Sequence, residues 1–346
     1  MGDTKDKKLR VHIVHSVKGG SGKTAFSLFK AMTIANYEND RFADKANVLY
    51  MDADFKGTAI KTLIYGKNES EFRSLNGEGD YIKAKNRRTL FEGIQSPKAS
   101  LTFFRQYQDN TLNDYLKGYV TNICDILVNG GILGQTLKDG ETQLKEDGSE
   151  ERLEARLDFI FSSPNIEKKK WFQYGGNERS TPEINLGLCI SKMKKLLEQI
   201  LECKYQDLVI DMPPGNDEYS NALLDIISEW AQKKKVEVYF YAITTNDLTH
   251  INAEYEKFLD VMANSSENKH FERYIMIYNE LRENEFSSAK LEIQRKALDE
   301  ILKNTTNRNK IYYVKCKYRE DYYKFCREAE QKNFEYRLNM EETNLF

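Results

Sequence analysis

Residues 10–30 read RVHIVHSVKGGSGKTAFSLFK, and this stretch decides the fold. Arg10 to His15 is a short run rich in β-branched residues that stops at a glycine-rich turn, which predicts a strand. From Thr24 to about Tyr37, Phe26, Phe29, Met32 and Ile34 supply the apolar face of a predicted helix. Val48 to Asp52, VLYMD, predicts a second strand that ends in a carboxylate. Strand, helix and strand at this spacing form a βαβ unit, which implies a parallel sheet with a right-handed crossover.

The turn between the first strand and its helix is KGGSGKT, residues 18–24. Gly19, Gly20 and Gly22 remove Cβ atoms where backbone N–H groups must close on phosphate oxygens, and glycine accepts a positive φ without strain. Ser21 and Ala25 extend the cradle along the backbone. Lys23 is spaced to reach the β- and γ-phosphates of a nucleotide, and Thr24 to put its hydroxyl on Mg²⁺. The helix begins here, so its free amides and dipole favour an anion. ATP and Mg²⁺ are the expected ligands.

Val17 stands where the general G-x-x-x-x-G-K-[ST] pattern has glycine, and the loop opens on Lys18 instead. This resembles the deviant Walker A loop of the ParA/MinD family of ATPases. The resemblance implies that Lys18 crosses a dimer interface to the partner's phosphates and that ATP drives homodimerisation. In VLYMDADFKG it assigns Asp54 to positioning the attacking water and Asp52 to a supporting Mg²⁺ or structural role; Phe55 replaces the family's proline. In DMPPG, Asp211 corresponds to the carboxylate that holds Mg²⁺ through water, and Pro213, Pro214 and Gly215 to the turn that senses the γ-phosphate. DMPPG is most similar to the Mrp branch, whose C-x-x-C pair is missing here: Cys316 and Cys326 stand ten positions apart. TLNDYLKG at 111–118 looks like a further family segment. Asn279 sits where relatives read adenine, with a strand-end turn as the competing explanation. The likeness covers 10 to about 66 well, and 111–118 and 157–280 in outline.

Further strands are expected at Leu157–Phe161, Leu208–Asp211, Val236–Ile243, Tyr274–Tyr278 and Ile311–Val314, and helices at Thr89–Gln95, Thr111–Val128 and Ile190–Cys203. The expected fold is α/β: a doubly wound, mostly parallel sheet with helices on both faces. It forms one domain over 1–346, with an irregular insertion at about 66–155 and a helical, Tyr-rich extension at about 316–346.

A net charge of −2 over 346 residues, 31% of them charged, excludes a global field toward nucleic acid or anionic membrane. A local patch for non-specific DNA is possible at Lys303, Arg308, Lys310, Lys315, Lys317 and Arg319, with a merely solvated basic face as the alternative. The five scattered cysteines read as reduced, mostly buried thiols, and the charged N-terminus and absence of a long apolar run point to a cytoplasmic chain that binds no membrane. The expected function is therefore a slow, partner-stimulated ATPase switch for DNA partitioning or cargo positioning. A nucleotide-gated scaffold in a multi-gene module is the alternative, and a kinase or synthetase on the same scaffold a lesser one.

Overall fold

The computed structural model describes residues 8–24, 26–28, 30–31, 34–35, 47–57, 110–132, 143–144, 150–151, 156–163, 166–172, 182–203, 205–215, 217–233, 235–244, 271–281 and 311–317, with two isolated positions. Its main sheet is built from β1 (Leu9–His15), β2 (Asn47–Asp52), β3 (Leu127–Ile132), β6 (Arg156–Ile160), β7 (Asp207–Asp211), β8 (Val236–Thr244), β9 (Phe271–Leu281) and β10 (Ile311–Lys317). A separate antiparallel pair, β4 (Gln143–Leu144) and β5 (Glu150–Glu151), stands apart from it.

The order across the sheet is β10-β9-β8-β1-β7-β2-β6-β3, so β1 is central and the chain builds outward from it on both flanks. All neighbours pair in parallel except β3, which closes one edge antiparallel to β6. The expected doubly wound, mostly parallel α/β sheet is what forms. Strands β1, β2 and β7 are buried on both faces; β2 and β7 read as largely apolar runs, whereas β1 alternates Leu9, Val11 and Ile13 with Arg10 and His12, which pair with Asp207.

Helices cover both faces. On one face, Leu9, Val11, Ile13, Leu49, Met51, Leu208 and Ile210 pack beneath α1 (Leu112–Lys117), α3 (Leu186–Glu202) and α4 (Glu218–Gln232). In α3, Cys189, Met193, Leu196, Leu197 and Ile200 form the buried stripe, and the Asn185 side chain caps the start by accepting from the Leu188 N–H at 2.9 Å. The opposite face carries the helix that follows the glycine loop, in which 23–24, 26–28, 30–31 and 34–35 are the described helical residues. The short helix α2 (Ile166–Lys170) follows β6.

The segment 111–128 departs from the expected single helix. Asp114 accepts from both the N–H and the hydroxyl of Thr111 at 2.9 and 2.7 Å, fixing the start of α1. Gly118 ends α1 one and a half turns later at φ +90°, donating to the carbonyls of Asp114 and Tyr115. A 3₁₀ turn at Ile123–Asp125 then leads into β3. Leu112, Tyr115, Leu116, Ile123 and Ile126 are all part of the core, so this portion of the 66–155 stretch is built into the fold. The expected helix at Thr89–Gln95 and residues 318–346 of the C-terminal extension lie outside the described residues, whereas Cys316 and Lys317 are strand, not helix.

Candidate functional site

Parallel strands deliver their C-terminal ends to one edge of the sheet, and β1, β7 and β2 bring three loops together there. Backbone bonds knit these ends: Met212 N–H donates to Val14 at 3.0 Å, Ala53 N–H to Asp211 at 2.9 Å, and Gly215 N–H to Ser16 at 3.1 Å. Register places Asp52 directly beside Asp211 on neighbouring strands.

The glycine loop leaves β1 at His15. Gly20 and Gly22 take φ of +81° and +85°, the left-handed conformation that the sequence allots to glycine. A Cβ at Gly19 or Gly20 would meet nothing within 4 Å, so both glycines face open space. Ser21 donates its hydroxyl to Ser16 at 2.7 Å, and Ser16 donates to the Lys18 carbonyl at 2.9 Å, which ties the loop across its base. The Pro-Pro-Gly turn at 213–215 is latched too, with His15 Nε2 3.2 Å from the Gly215 carbonyl oxygen.

Lys23 is 6% exposed, and its Nζ donates to Asp211 Oδ1 at 2.7 Å. A buried ammonium is tolerated only when paired, and Asp211, itself enclosed, supplies the charge. The other Asp211 oxygen accepts from the Tyr50 hydroxyl at 3.3 Å, and Tyr50 in turn lies 3.4 Å from Ser27 Oγ on the loop helix. Burial, reinforced by Asp211 and Asp52, drives the Tyr50 hydroxyl well above its ordinary pKa, so it stays a donor.

Asp52 has both oxygens engaged: Oδ1 accepts from the Asp54 N–H at 3.0 Å and Oδ2 from the Ser162 hydroxyl. Burial first, then the charges of Asp211 and Asp54, push its carboxyl up to about 7. Asp54 is different. Its Oδ1 is buried without a hydrogen-bond partner. Burial raises its pKa, Lys23 opposes the rise and Asp211 adds to it. Asp54 lies in a tight turn whose Gly57 N–H donates to the Asp54 carbonyl at 2.9 Å. A Cβ at Gly57 would overlap the Asp54 carboxylate, so any larger residue there must displace that side chain.

Compared with known proteins, the chain matches no protein-family model and no curated protein sequence.

The structure brings together Lys23, Asp211, Asp52, Asp54 and the glycines of the loop. Lys18 stands at the exposed lip of the loop. Asn279 lies near the end of β9, two strands from β1 in the sheet, and its side chain is outside the described residues, as is Ala25. Of the basic patch, Lys315 and Lys317 are on the β10 backbone; Lys303, Arg308, Lys310 and Arg319 lie outside the described residues. Sequence reasoning missed Tyr50 and Ser162, which passed for core and loop residues. It also missed Asn113, whose partners are all 50 or more positions away in the chain.

Lys23, Thr24 and Asp211 are the side chains here that could serve a phosphate and a Mg²⁺ ion. Among the described residues no cluster of three or more His, Cys, Asp or Glu side chains could hold a metal alone. Magnesium does not need one, since it is commonly held by one or two carboxylates, water and substrate phosphates. Among the described thiols, Cys124 and Cys203 are exposed, against the expectation of mostly buried cysteines, and burial lifts the Cys189 thiol to about 12. No helix among the described residues is long and apolar enough to cross a membrane.

Proposed function

We propose that the chain binds Mg²⁺–ATP on the 18–24 loop and hydrolyses it to ADP and phosphate as a dimerising switch. The observation that supports this most is the buried 2.7 Å pairing of the loop's Lys23 with the strand-end Asp211, beneath glycines held at positive φ. A lysine that only decorated a turn would extend into water.

In this reading the amides of 19–24 and the loop helix N-terminus hold the phosphates, and Lys23 exchanges Asp211 for the β- and γ-oxygens. Thr24 and Asp211 would hold Mg²⁺, whose chemistry is to neutralise charge on the transferring phosphoryl group. Asp54 orients the attacking water through its unpartnered Oδ1, and its raised proton affinity suits transient acceptance of a proton. Asp52 takes the structural of its two expected roles, because its oxygens already hold the Asp54 turn and Ser162. Lys18, exposed at the loop's lip, is available to a second copy's phosphates.

The test is turnover and ATP-dependent association in the wild type, Lys23→Ala and Asp54→Ala. Asp54→Ala should lose hydrolysis by 10²-fold or more yet still dimerise on ATP; Lys23→Ala should lose both. Equal, near-zero rates in all three, alongside intact ATP-dependent dimerisation in the wild type, would replace the hydrolytic switch with a nucleotide-gated scaffold.

A further inference from the structure

The Asp54 turn is not held by its own strand alone. Asn113, fully buried on α1, spends its whole carboxamide on three separate segments. Its Nδ2 donates to the Phe55 carbonyl at 3.1 Å and to the Lys168 carbonyl at 3.4 Å, and its Oδ1 accepts from the Ser163 N–H at 2.7 Å. These are the turn after β2, helix α2 and the exit of β6. The α1 segment is itself fixed in place: Leu112 N–H donates to the Phe161 carbonyl at 2.8 Å, and Lys168 pairs with Asp114 at 2.7 Å. At the far end of the same turn, the buried Lys169 ammonium donates to the Gly57 carbonyl. Phe55 packs against Phe172 with the rings tilted by 32° and their centres 4.5 Å apart, which pins the turn from a third side.

We infer that Asn113 is a positioning residue for hydrolysis: through the Phe55 carbonyl it fixes the turn that aims Asp54. The inference rests on the reading of Asp54 as the group that orients water. Its physical basis is that a carboxylate must be held to a fraction of an ångström, and a displacement of about 1 Å can cost on the order of 10²-fold in rate. A buried asparagine with every polar atom satisfied is the group to do this, because any shift of the turn strands a donor in an apolar setting. None of Asn113's three partners belongs to the 18–24 loop proposed to hold the nucleotide, so affinity should be spared.

Asn113→Asp tests it. The aspartate keeps an acceptor for Ser163 but turns an oxygen, not an N–H, toward the Phe55 and Lys168 carbonyls. Binding of a non-hydrolysable ATP analogue, KM and single-turnover hydrolysis are measured together with a melting curve. The expected result is a fall in kcat of about tenfold or more with KM and analogue affinity within about threefold of wild type. An unchanged kcat in a folded, analogue-binding Asn113→Asp protein overturns the inference. Should that variant fail to fold, Asn113→Ser, which loses the bonds to the Phe55 and Lys168 carbonyls without burying a charge, decides: a fall in kcat at constant KM supports the inference, whereas an unchanged kcat, or equal losses of kcat and affinity, overturns it. A wild type that binds no analogue at all removes the parent reading instead, which is a different outcome from any variant's.

Discussion

The face of the sheet beneath the loop helix holds an ionisable cluster, and it yields a prediction independent of nucleotide. His12 is buried, stacked on Tyr239 with ring centres 5.0 Å apart. Its Nε2 lies 2.9 Å from Asp207 Oδ1 and its Nδ1 3.2 Å from the Tyr241 hydroxyl. A neutral ring that donates from Nε2 and accepts at Nδ1 satisfies both neighbours. Arg10 already neutralises Asp207 through two bonds of 2.7 and 2.6 Å, so the carboxylate demands no second cation. Burial therefore dominates and lowers the His12 pKa from 6.5 to about 4, with the Asp207 hydrogen bond opposing and Lys30 assisting. Between those two values the unfolded chain carries more protons on this histidine than the folded one, so stability rises with pH across the window and is lost as pH falls. The span from 6.5 to about 4, at about 1.4 kcal/mol per pH unit, corresponds to roughly 3 kcal/mol. Asp52 contributes the opposite slope, because its folded carboxyl, raised to about 7, holds its proton where the unfolded one does not. The wild-type profile alone therefore mixes the two. The remedy is to subtract His12→Phe, which leaves Arg10–Asp207 and Asp52 in place. Urea unfolding of both proteins at several pH values from 4 to 7.5 should show the wild-type advantage shrinking by about 3 kcal/mol from neutral to pH 4. A difference that stays flat with pH refutes the neutral, buried histidine.

Three further outcomes follow from particular contacts. Gly57→Ala puts a Cβ into the Asp54 carboxylate and should abolish hydrolysis while analogue binding persists; a variant with wild-type kcat in single-turnover assays contradicts the turn geometry. Gly118→Ala forces an alanine to φ +90° at the end of α1 and should cost about 1 kcal/mol in urea unfolding, since the nearest obstacle, Lys192 Nζ, can move aside. Under native conditions a thiol reagent should label Cys124 and Cys203 quickly and Cys189 only on unfolding, as peptide mass mapping would show; fast labelling at Cys189 would contradict its buried place in α3.

How far the sequence could be read depended on the range of the interactions. Strands β2 and β7 announced themselves because burial on both faces demands apolar runs, and β1 and β8 through their β-branched and aromatic residues. The loop was legible because glycines and lysines at fixed spacing encode their own geometry. In contrast, β3 contains Asn129, Gly130 and Gly131, residues poor in strand propensity, and becomes a strand only by pairing with β6. Helix α4 carried a readable signal, Tyr219, Leu223, Ile226, Ile227 and Trp230 at helical spacing, overshadowed by the Pro-Pro-Gly turn before it. Asn113 and Tyr50 gave no local sign. Their partners are brought near by topology alone, and so is the pairing of Lys23 with Asp211, 188 positions apart.

The most direct test of the central claim is a crystal structure of the chain with Mg²⁺ and a non-hydrolysable ATP analogue. The account predicts a triphosphate on the amides of 19–24, Lys23 moved from Asp211 onto its oxygens, and the metal between the Thr24 hydroxyl and Asp211. A nucleotide seated elsewhere with the Lys23–Asp211 pair intact would contradict it.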